Sequence, residues 1–274
     1  MDFEEIISTS FRYPFKDYKH LSIIFVLFAL TLILPIGIFV KQSAVAIIGV
    51  IALIIFILIF PGYLVSIIKH GIDESSEIPN IKLGRNIKDT FKLFILHVCY
   101  IAIPSVIVFI ILAFATGLFV NPMDWGMNFP RNVLSSIFTT FGVTVLIGCI
   151  FSIISHIAKA RMANTNSLVE ALKLNKVFKD IKQIGVGKFI GWYIVMVILI
   201  GLIRFVAGFL VFVPYLGIIL YLCIVYPIIS LIFYYSLGLL YSGVGDGKET
   251  GYDIDLEKFE KEIQDIKYGR LIKK

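Results

Sequence analysis

Acidic residues are missing from every long apolar stretch of this sequence. The chain contains six such stretches, and none of them holds an aspartate or a glutamate. Ion-coupled carriers and proton relays usually place a carboxylate within the membrane, so cation-coupled transport is disfavoured. The same absence excludes an intramembrane aspartyl protease, because that reaction depends on a pair of carboxylates.

Motifs for catalysis and for metal binding are also missing. The sequence has no H-E-x-x-H, no G-x-S-x-G, no Walker motif and no cysteine–histidine spacing of the kind found in zinc sites. Its three cysteines, Cys99, Cys149 and Cys223, are scattered through apolar stretches, which argues against a disulfide framework. We therefore expect no catalytic residues, no metal, no cofactor and no nucleic-acid partner.

Apolar residues dominate what is present. They make up 58% of the 274 residues, charged residues make up 16%, and the mean hydropathy is +0.92. A soluble domain is usually about 45–50% apolar and about 25% charged. A spanning helix needs about 20 mostly apolar residues. The windows that qualify are 21–40, 44–68, 93–120, 133–158, 187–213 and 214–242. The predicted fold is an all-α integral membrane protein, a six-helix transmembrane bundle.

The placement of positive charge predicts the orientation. Of the 25 lysines and arginines, all but Lys41, Arg131 and Arg204 lie before the first span, in the two longer linkers or after the last span. The positive-inside rule then puts both termini in the cytoplasm and predicts a multi-pass protein of the cell membrane. The predicted divisions are an interfacial segment at 1–20, the membrane domain at 21–242, and a cytoplasmic linker with an amphipathic tail helix at 243–274.

A short pattern recurs before the first, third and fifth spans. An apolar residue and Lys-Asp are followed by another lysine within residues 15–19, 87–92 and 178–182, and Lys-Asp occurs nowhere else. All three copies point the same way through the membrane. The pattern predicts three parallel hairpin repeats, each an interfacial helix, a span, a short outer turn and a second span.

The segments that precede these hairpins are predicted to be basic amphipathic helices. In the third copy, Ser167 and Glu170 fit the capping box that begins a helix. Such helices attract anionic lipid at about 1 kcal/mol for each nearby cation. The candidate contacts with anionic lipid are Lys16, Lys19, Lys88, Lys92, Lys173, Lys176, Lys179 and Lys182. In the alternative interpretation these helices only cap the bundle and set its topology.

One charge, Arg204, lies within a span. It precedes Val213 by nine residues, which places it about 13 Å below the outer end of its helix at 1.5 Å per residue. An intramembrane charge is by default a functional hypothesis. The hydroxyl-rich fourth span offers Thr139, Thr140 and Thr144 as partners in a polar site. The site would bind an anion or a lipid phosphate; the alternative is an arginine that is hydrogen-bonded for structural reasons.

Several short motifs of the chain have counterparts in a known family. They are Pro61-Gly62-Tyr63-Leu64-Val65, Glu77-Ile78-Pro79, residues 87–92 with Tyr100 and Pro104, the opening at 11–17, and the second linker from Ser167 to Phe189. In these motifs the chain resembles the prokaryotic and mostly archaeal membrane proteins called the domain of unknown function 4013 family. The likeness covers residues 5–240. It implies a polytopic membrane protein and implies no activity, substrate or catalytic residue.

Three functional hypotheses follow. The first is a non-enzymatic bundle that organises lipids or partner proteins through its basic cytoplasmic face. The second is a transporter of a small solute or a lipid-like substrate, with a cavity near Arg204. An intramembrane enzyme comes third. Membrane lipids with anionic headgroups are the expected partners, and a homo-oligomer or another membrane protein is an open alternative.

Overall fold

Helices and short connecting segments make up the described part of the chain, and no strand occurs among the described residues. A computed structural model describes residues 2–116, 129–213 and 216–244, and the predicted tail helix lies outside them. The helices are α1 Phe3–Arg12, α2 Tyr18–Leu30, α3 Ile33–Phe39, α4 Ser43–Ile72, α5 Leu83–His97, α6 Ile103–Ala115, α7 Phe129–Thr165, α8 Leu168–Leu172, α9 Leu174–Ile184, α10 Val186–Gly208, α11 Leu216–Leu220 and α12 Tyr226–Tyr241. Short 3-10 turns at Tyr13–Phe15 and Phe209–Phe212 follow α1 and α10.

Six helical stretches in the described ranges are long and apolar enough to cross a membrane. They are Tyr18–Phe39, Ser43–Ile72, Leu83–Ala115, Leu134–Thr165, Val186–Gly208 and Leu216–Tyr241. A multi-pass membrane protein is therefore confirmed in this coarse form. Four stretches extend further into polar sequence than the predicted windows: one begins at Tyr18, one ends at Ile72, one begins at Leu83 and one ends at Thr165. These helices continue into polar sequence because a helix pairs its own backbone N–H and C=O groups in any solvent. A window of apolar residues, by contrast, detects only the part of a helix that faces lipid.

Two of the spans contain a single π-helical turn. The turns are Val98–Ala102 and Tyr221–Val225, and each lies just before a proline, Pro104 and Pro227. Proline has no N–H to donate to the carbonyl four residues earlier. The wider turn accommodates that missing bond, so both spans continue as helices past their prolines.

Helix α4 is the centre of the bundle because glycines let two other helices approach its backbone. A Cβ on Gly62 would lie 1.8 Å from the carbonyl oxygen of Asn86 on α5. A Cβ on Gly238 of α12 would lie 2.2 Å from the carbonyl oxygen of Ile68. Any side chain at either position would force the helices apart, so these glycines fix α4 against α5 and α12.

The bundle is packed most tightly at one end. We call this the linker end, since it carries α1, the first linker (73–82) and the second linker (166–185); the opposite end is the hairpin end. Fully buried side chains such as Ile67, Trp192 and Leu237 lie toward the linker end, and the Trp192 ring N–H donates to the Ser236 hydroxyl at 2.6 Å. Toward the hairpin end, large apolar side chains such as Phe138 are exposed, as a lipid-facing surface requires.

The second linker folds as two helices and not as one. Ser167 caps α8 by accepting the N–H of Glu170 at 3.4 Å, and the chain is extended at Lys173 before α9 begins. This break turns α9 so that Val177, Asp180 and Ile181 face the bundle. Phe178 lies within the same helix, next to Val177, and is 46% exposed.

Candidate functional site

Three tyrosine hydroxyls hold the first linker against the bundle. Tyr235 of α12 donates to the carbonyl of Ser75 at 3.0 Å. Tyr13 donates to the carbonyl of Glu77 at 3.2 Å, and Tyr63 of α4 donates to that of Pro79 at 3.1 Å. A short linker of this kind has few backbone partners of its own. The tyrosines supply them, so the linker is fixed by three different parts of the chain.

A basic groove lies beside this linker. It has a volume of about 390 Å³ and is lined by Lys69, Gly84, Arg85, Lys88, Asp89, Lys92 and Asn166. A smaller cavity of about 220 Å³ adjoins it and shares Lys69 and Arg85 with it. We call the larger one the first-linker groove. Four of its seven lining residues are cations and one is an acid.

Two of the four cations are paired with the single acid. The Lys92 amine donates to Asp89 Oδ1 at 3.0 Å, and the Arg85 Nε lies 3.6 Å from Asp89 Oδ2. Lys92 also donates to the backbone and side-chain oxygens of Asn166 at 3.2 and 3.1 Å, which joins the groove to the second linker. Lys69 and Lys88 have no hydrogen bond or ion pair to any described residue. The groove therefore keeps a positive charge suited to an anion.

A buried ion pair fixes the second linker. The Arg161 Nη1 of α7 donates to both carboxylate oxygens of Asp180 at 2.8 and 2.7 Å, and the Tyr241 hydroxyl donates to Asp180 Oδ2 at 2.7 Å. Arg161 and Asp180 are 4% and 3% exposed. Buried charges persist when they are paired and hydrogen-bonded, as here. The pair docks α9 onto α7 and α12.

Arg161 also contacts a cluster of charged side chains at the surface. Arg161 lies 3.4 Å from Glu170, whose carboxylate accepts from Lys173 at 2.7 Å and from Lys176 at 2.6 Å. Hydrogen bonds from the two lysines lower the pKa of Glu170 to about 2. Much of the charge of these two lysines is thus already balanced within the protein.

The family comparison covers this architecture from α4 to the 3-10 turn after α10. The sequence model of the family described as "Protein of unknown function (DUF4013)" matches residues 45–212, more than half of the chain. The chain belongs to the DUF4013 family. No curated protein and no solved structure matches it. The DUF4013 match includes the first-linker groove and the Arg161–Asp180 pair, whereas Tyr13 and Tyr235 lie outside it.

The lysines predicted to contact lipid occupy three different settings. Lys88 and Lys92 line the first-linker groove of this DUF4013 protein. Lys173 and Lys176 bind Glu170, as described above. The remaining four are exposed, at the start of α2 and on α9; they are Lys16, Lys19, Lys179 and Lys182.

Arg204 and the threonines of the fourth span lie in different parts of the bundle. Arg204 lines a second groove, of about 390 Å³, between α10 and α12. Thr140 is buried against α6, where its hydroxyl lies 2.9 Å from that of Thr116. Thr144 donates to the Thr140 carbonyl at 2.7 Å, and Thr139 is exposed. The structure does not bring these groups together around Arg204.

Several charged residues of the linker end were assigned no role by sequence reasoning. Lys69 and Arg85 complete the first-linker groove, and Arg161 anchors α9. Lys159 follows the predicted fourth window, 133–158, and is therefore expected in the second linker. In the structure it lies within α7 and is 3% exposed. No described residue pairs with its amine. The Lys-Asp pattern singles out Asp180, but no feature of the sequence indicates that Arg161 is its partner.

Within residues 2–116, 129–213 and 216–244, no three His, Cys, Asp or Glu side chains are grouped so as to hold a metal ion. Cationic side chains line the first-linker groove and the Arg204 groove of the described chain. Both can bind an anion by charge-assisted hydrogen bonds.

Proposed function

We propose that this protein is a non-enzymatic membrane bundle whose linker end binds the headgroups of anionic lipids. The observation that carries the proposal is the first-linker groove, with four cations around one acid. A lipid phosphate is an oxygen-rich anion that accepts hydrogen bonds from amines and guanidinium groups. The groove offers such donors at the end of the spans.

The charge of the groove supports an anionic ligand. Asp89 pairs with Arg85 and Lys92, and this leaves Lys69 and Lys88 as donors without a described partner. Each cation close to an anionic leaflet contributes about 1 kcal/mol to the attraction. Lys69 and Lys88 would then account for most of the preference for an anionic over a zwitterionic headgroup.

The groove is also fixed before any ligand arrives. Three tyrosine hydroxyls hold the first linker, which lines the adjoining cavity, and within the groove itself Lys92 joins α5 to Asn166. A preformed site loses little conformational entropy on binding. This rigidity favours a specific headgroup site over a diffuse basic surface.

Orientation is the second part of the proposal. The lysine and arginine bias supports a cytoplasmic location for both linkers and both termini. The cytoplasmic leaflet carries the negative surface potential of anionic lipids. The first-linker groove would then face that leaflet, in the cell membrane.

The proposed bundle consists of three hairpin repeats, each led by a Lys-Asp pair. Each aspartate makes a contact that fixes the start of its hairpin. Asp17 accepts the backbone N–H of His20 at 3.2 Å and also contacts its ring. Asp89 accepts from Lys92, and Asp180 accepts from Arg161. A shared anchoring role for the three aspartates is consistent with a repeat.

Transport of a lipid-like substrate is the second candidate, and the groove beside Arg204 favours it. The two grooves share no lining residue in the described chain, because one lies between α4, α5 and Asn166 and the other lies between α10 and α12. A transport path would have to connect them. Two separate binding surfaces agree better with a protein that organises lipid.

Native mass spectrometry of the purified protein tests the headgroup site. Phosphatidylglycerol and phosphatidylcholine are titrated in parallel against the parent and the Lys69→Gln/Lys88→Gln variant. We expect the variant to bind phosphatidylglycerol about 10–30-fold more weakly, from two lost cations at about 1 kcal/mol each. Binding of phosphatidylcholine should be unchanged.

The matched control is Lys173→Gln/Lys176→Gln, which removes two lysines already bound to Glu170. We expect it to retain most of the phosphatidylglycerol affinity. Equal binding of both lipids by the parent, or an equal loss in the control variant, would contradict the headgroup site.

A further inference from the structure

The Arg204 groove is formed by one face of each of two neighbouring helices. On α10 it extends from Tyr193 to Arg204, and on α12 it extends from Tyr226 to Tyr234. On the α10 side, Tyr193 and Arg204 are 11 positions apart, or about 16 Å along the helix axis. Apolar side chains and tyrosine rings line most of it. The groove is therefore long and narrow, with a cation near one end.

Arg204 lies toward the hairpin end of this groove. It is one turn before the end of α10 at Gly208, and 18 residues after the first residue, Val186. That separation is about 27 Å at 1.5 Å per residue, and the hydrocarbon core of a bilayer is about 30 Å thick. If α10 begins at the membrane boundary of the linker end, Arg204 lies near the boundary of the hairpin end. Arg204 is then closer to the headgroups of that leaflet than its separation of nine residues from Val213 suggests.

The charge of Arg204 is not balanced by the described protein. Residues 186–213 and 216–244 contain no aspartate or glutamate. Arg204 is exposed and makes no hydrogen bond or ion pair with the described residues. Its neighbours toward the hairpin end include Phe205 and Phe209, which are 67% and 56% exposed. An unpaired guanidinium beside apolar surface calls for an anion from outside the protein.

We propose that this groove binds one anionic phospholipid of the hairpin-end leaflet, with its phosphate at Arg204 and one acyl chain lying along the groove toward Tyr193. The guanidinium group matches a phosphate by paired hydrogen bonds. The 16 Å of groove below it is close to the thickness of hydrocarbon in one leaflet, about half of 30 Å. The charge and the length of the groove select the same ligand. This site is independent of the first-linker groove, which lies at the other end of the bundle.

Gly201 allows the groove to be closed without touching the arginine. It lines the groove, and a Cβ there would meet no atom within 4 Å. Gly201→Phe therefore fills the space meant for the acyl chain. Gly191→Phe is the matched control, because Gly191 lies on the same helix, also has open space around it, and does not line the groove.

Photo-crosslinking with lipids that carry a diazirine on one acyl chain tests the proposal. The full chain is reconstituted with labelled phosphatidylglycerol or with labelled phosphatidylcholine, and the labelled peptides are identified by mass spectrometry. In the parent we expect peptides from α10 and α12 to take up phosphatidylglycerol in preference to phosphatidylcholine. Arg204→Leu should reduce that preference about tenfold, the loss of a charge-assisted phosphate contact, and Arg204→Lys should keep most of it.

Gly201→Phe should lower labelling by phosphatidylglycerol at the same peptides, and Gly191→Phe should leave it unchanged. Three results would overturn the proposal: equal labelling by the two lipids in the parent, labelling that does not respond to Arg204→Leu, or no lipid label on α10 and α12 in the parent. Lys69→Gln/Lys88→Gln should not alter this labelling, which separates the outcome from that of the headgroup site at the linker end.

Discussion

Tyr13 and Tyr235 stack face to face beneath the first linker. Their ring centroids are 3.7 Å apart and the ring planes differ by 6°. Both hydroxyls donate to the linker, to the carbonyls of Glu77 and Ser75. Burial raises the pKa of Tyr13, so its hydroxyl remains protonated and able to donate over the ordinary pH range. The stack joins the first and last parts of the described chain beneath the first linker, which lines the smaller cavity beside the groove.

Removing either hydroxyl should destabilise the protein modestly. Tyr13→Phe and Tyr235→Phe keep the stack and lose one hydrogen bond each, at a cost of about 1 kcal/mol. Thermal unfolding in detergent, followed by tryptophan fluorescence, measures the change. Tyr18→Phe is the control because Tyr18 is 70% exposed. An unchanged Tm in both stack variants would show that the hydroxyls do not hold the linker.

Removing Arg161 should have a larger effect. Arg161→Met removes the hydrogen bonds that the guanidinium group donates to the buried Asp180 carboxylate. Of the hydrogen bonds described above, only that from the Tyr241 hydroxyl remains. Breaking a buried ion pair by removing one partner typically costs about 3–5 kcal/mol. We expect a large fall in Tm and increased proteolysis within 166–185. If Arg161→Met unfolded at the same temperature as the parent, the pair would not anchor the second linker.

Lys159 provides the contrasting case, two residues earlier on the same helix. It is as buried as Arg161, yet no described acid pairs with it. Replacing an unpaired buried cation by an apolar side chain of similar length removes a desolvation cost. Lys159→Met should therefore leave Tm unchanged or raise it in the same unfolding assay. A clear fall in Tm would indicate a favourable interaction of the amine that the contacts around it do not account for.

Glu170 should make stability depend on acid pH. Its pKa is lowered to about 2 in the folded protein, chiefly by hydrogen bonds from Lys173 and Lys176, whereas an unperturbed glutamate titrates near pH 4.3. A lowered pKa contributes stability above the unfolded value, and that contribution is lost as pH falls toward the folded value. We expect Glu170→Gln to show a smaller loss of Tm than the parent between about pH 4.5 and pH 2. Identical profiles would show that these lysines do not bind Glu170.

The spans could be predicted from sequence because lipid imposes a simple rule. Uninterrupted apolar runs such as 44–68 have no other stable state in a bilayer than a helix. The helix ends could not be predicted as well, since residues such as Lys159 and Arg161 are polar but remain helical and buried. The break at Lys173 was also not predictable, because the sequence on both sides of it favours a helix.

The sites were predicted only in part. Lys88 and Lys92 were identified from charge alone, and they do lie together in a groove. Lys69 and Arg85 join them because Gly62 brings α5 close to α4, a contact between residues far apart in sequence. Arg204 could be identified as a lone charge, but its surroundings could not, since Thr140 packs against α6, Thr139 is exposed, and tyrosines of α12 line the groove beside Arg204.

A crystal structure of the protein grown in a lipid phase containing phosphatidylglycerol tests the central claim most directly. The account predicts a phosphate in the first-linker groove, within about 3 Å of the amines of Lys69 and Lys88, the distance of a charge-assisted hydrogen bond. The phosphate should be lost from crystals of Lys69→Gln/Lys88→Gln. A groove that stays free of phosphate in the parent, with phosphatidylglycerol bound elsewhere on the protein, would contradict the account.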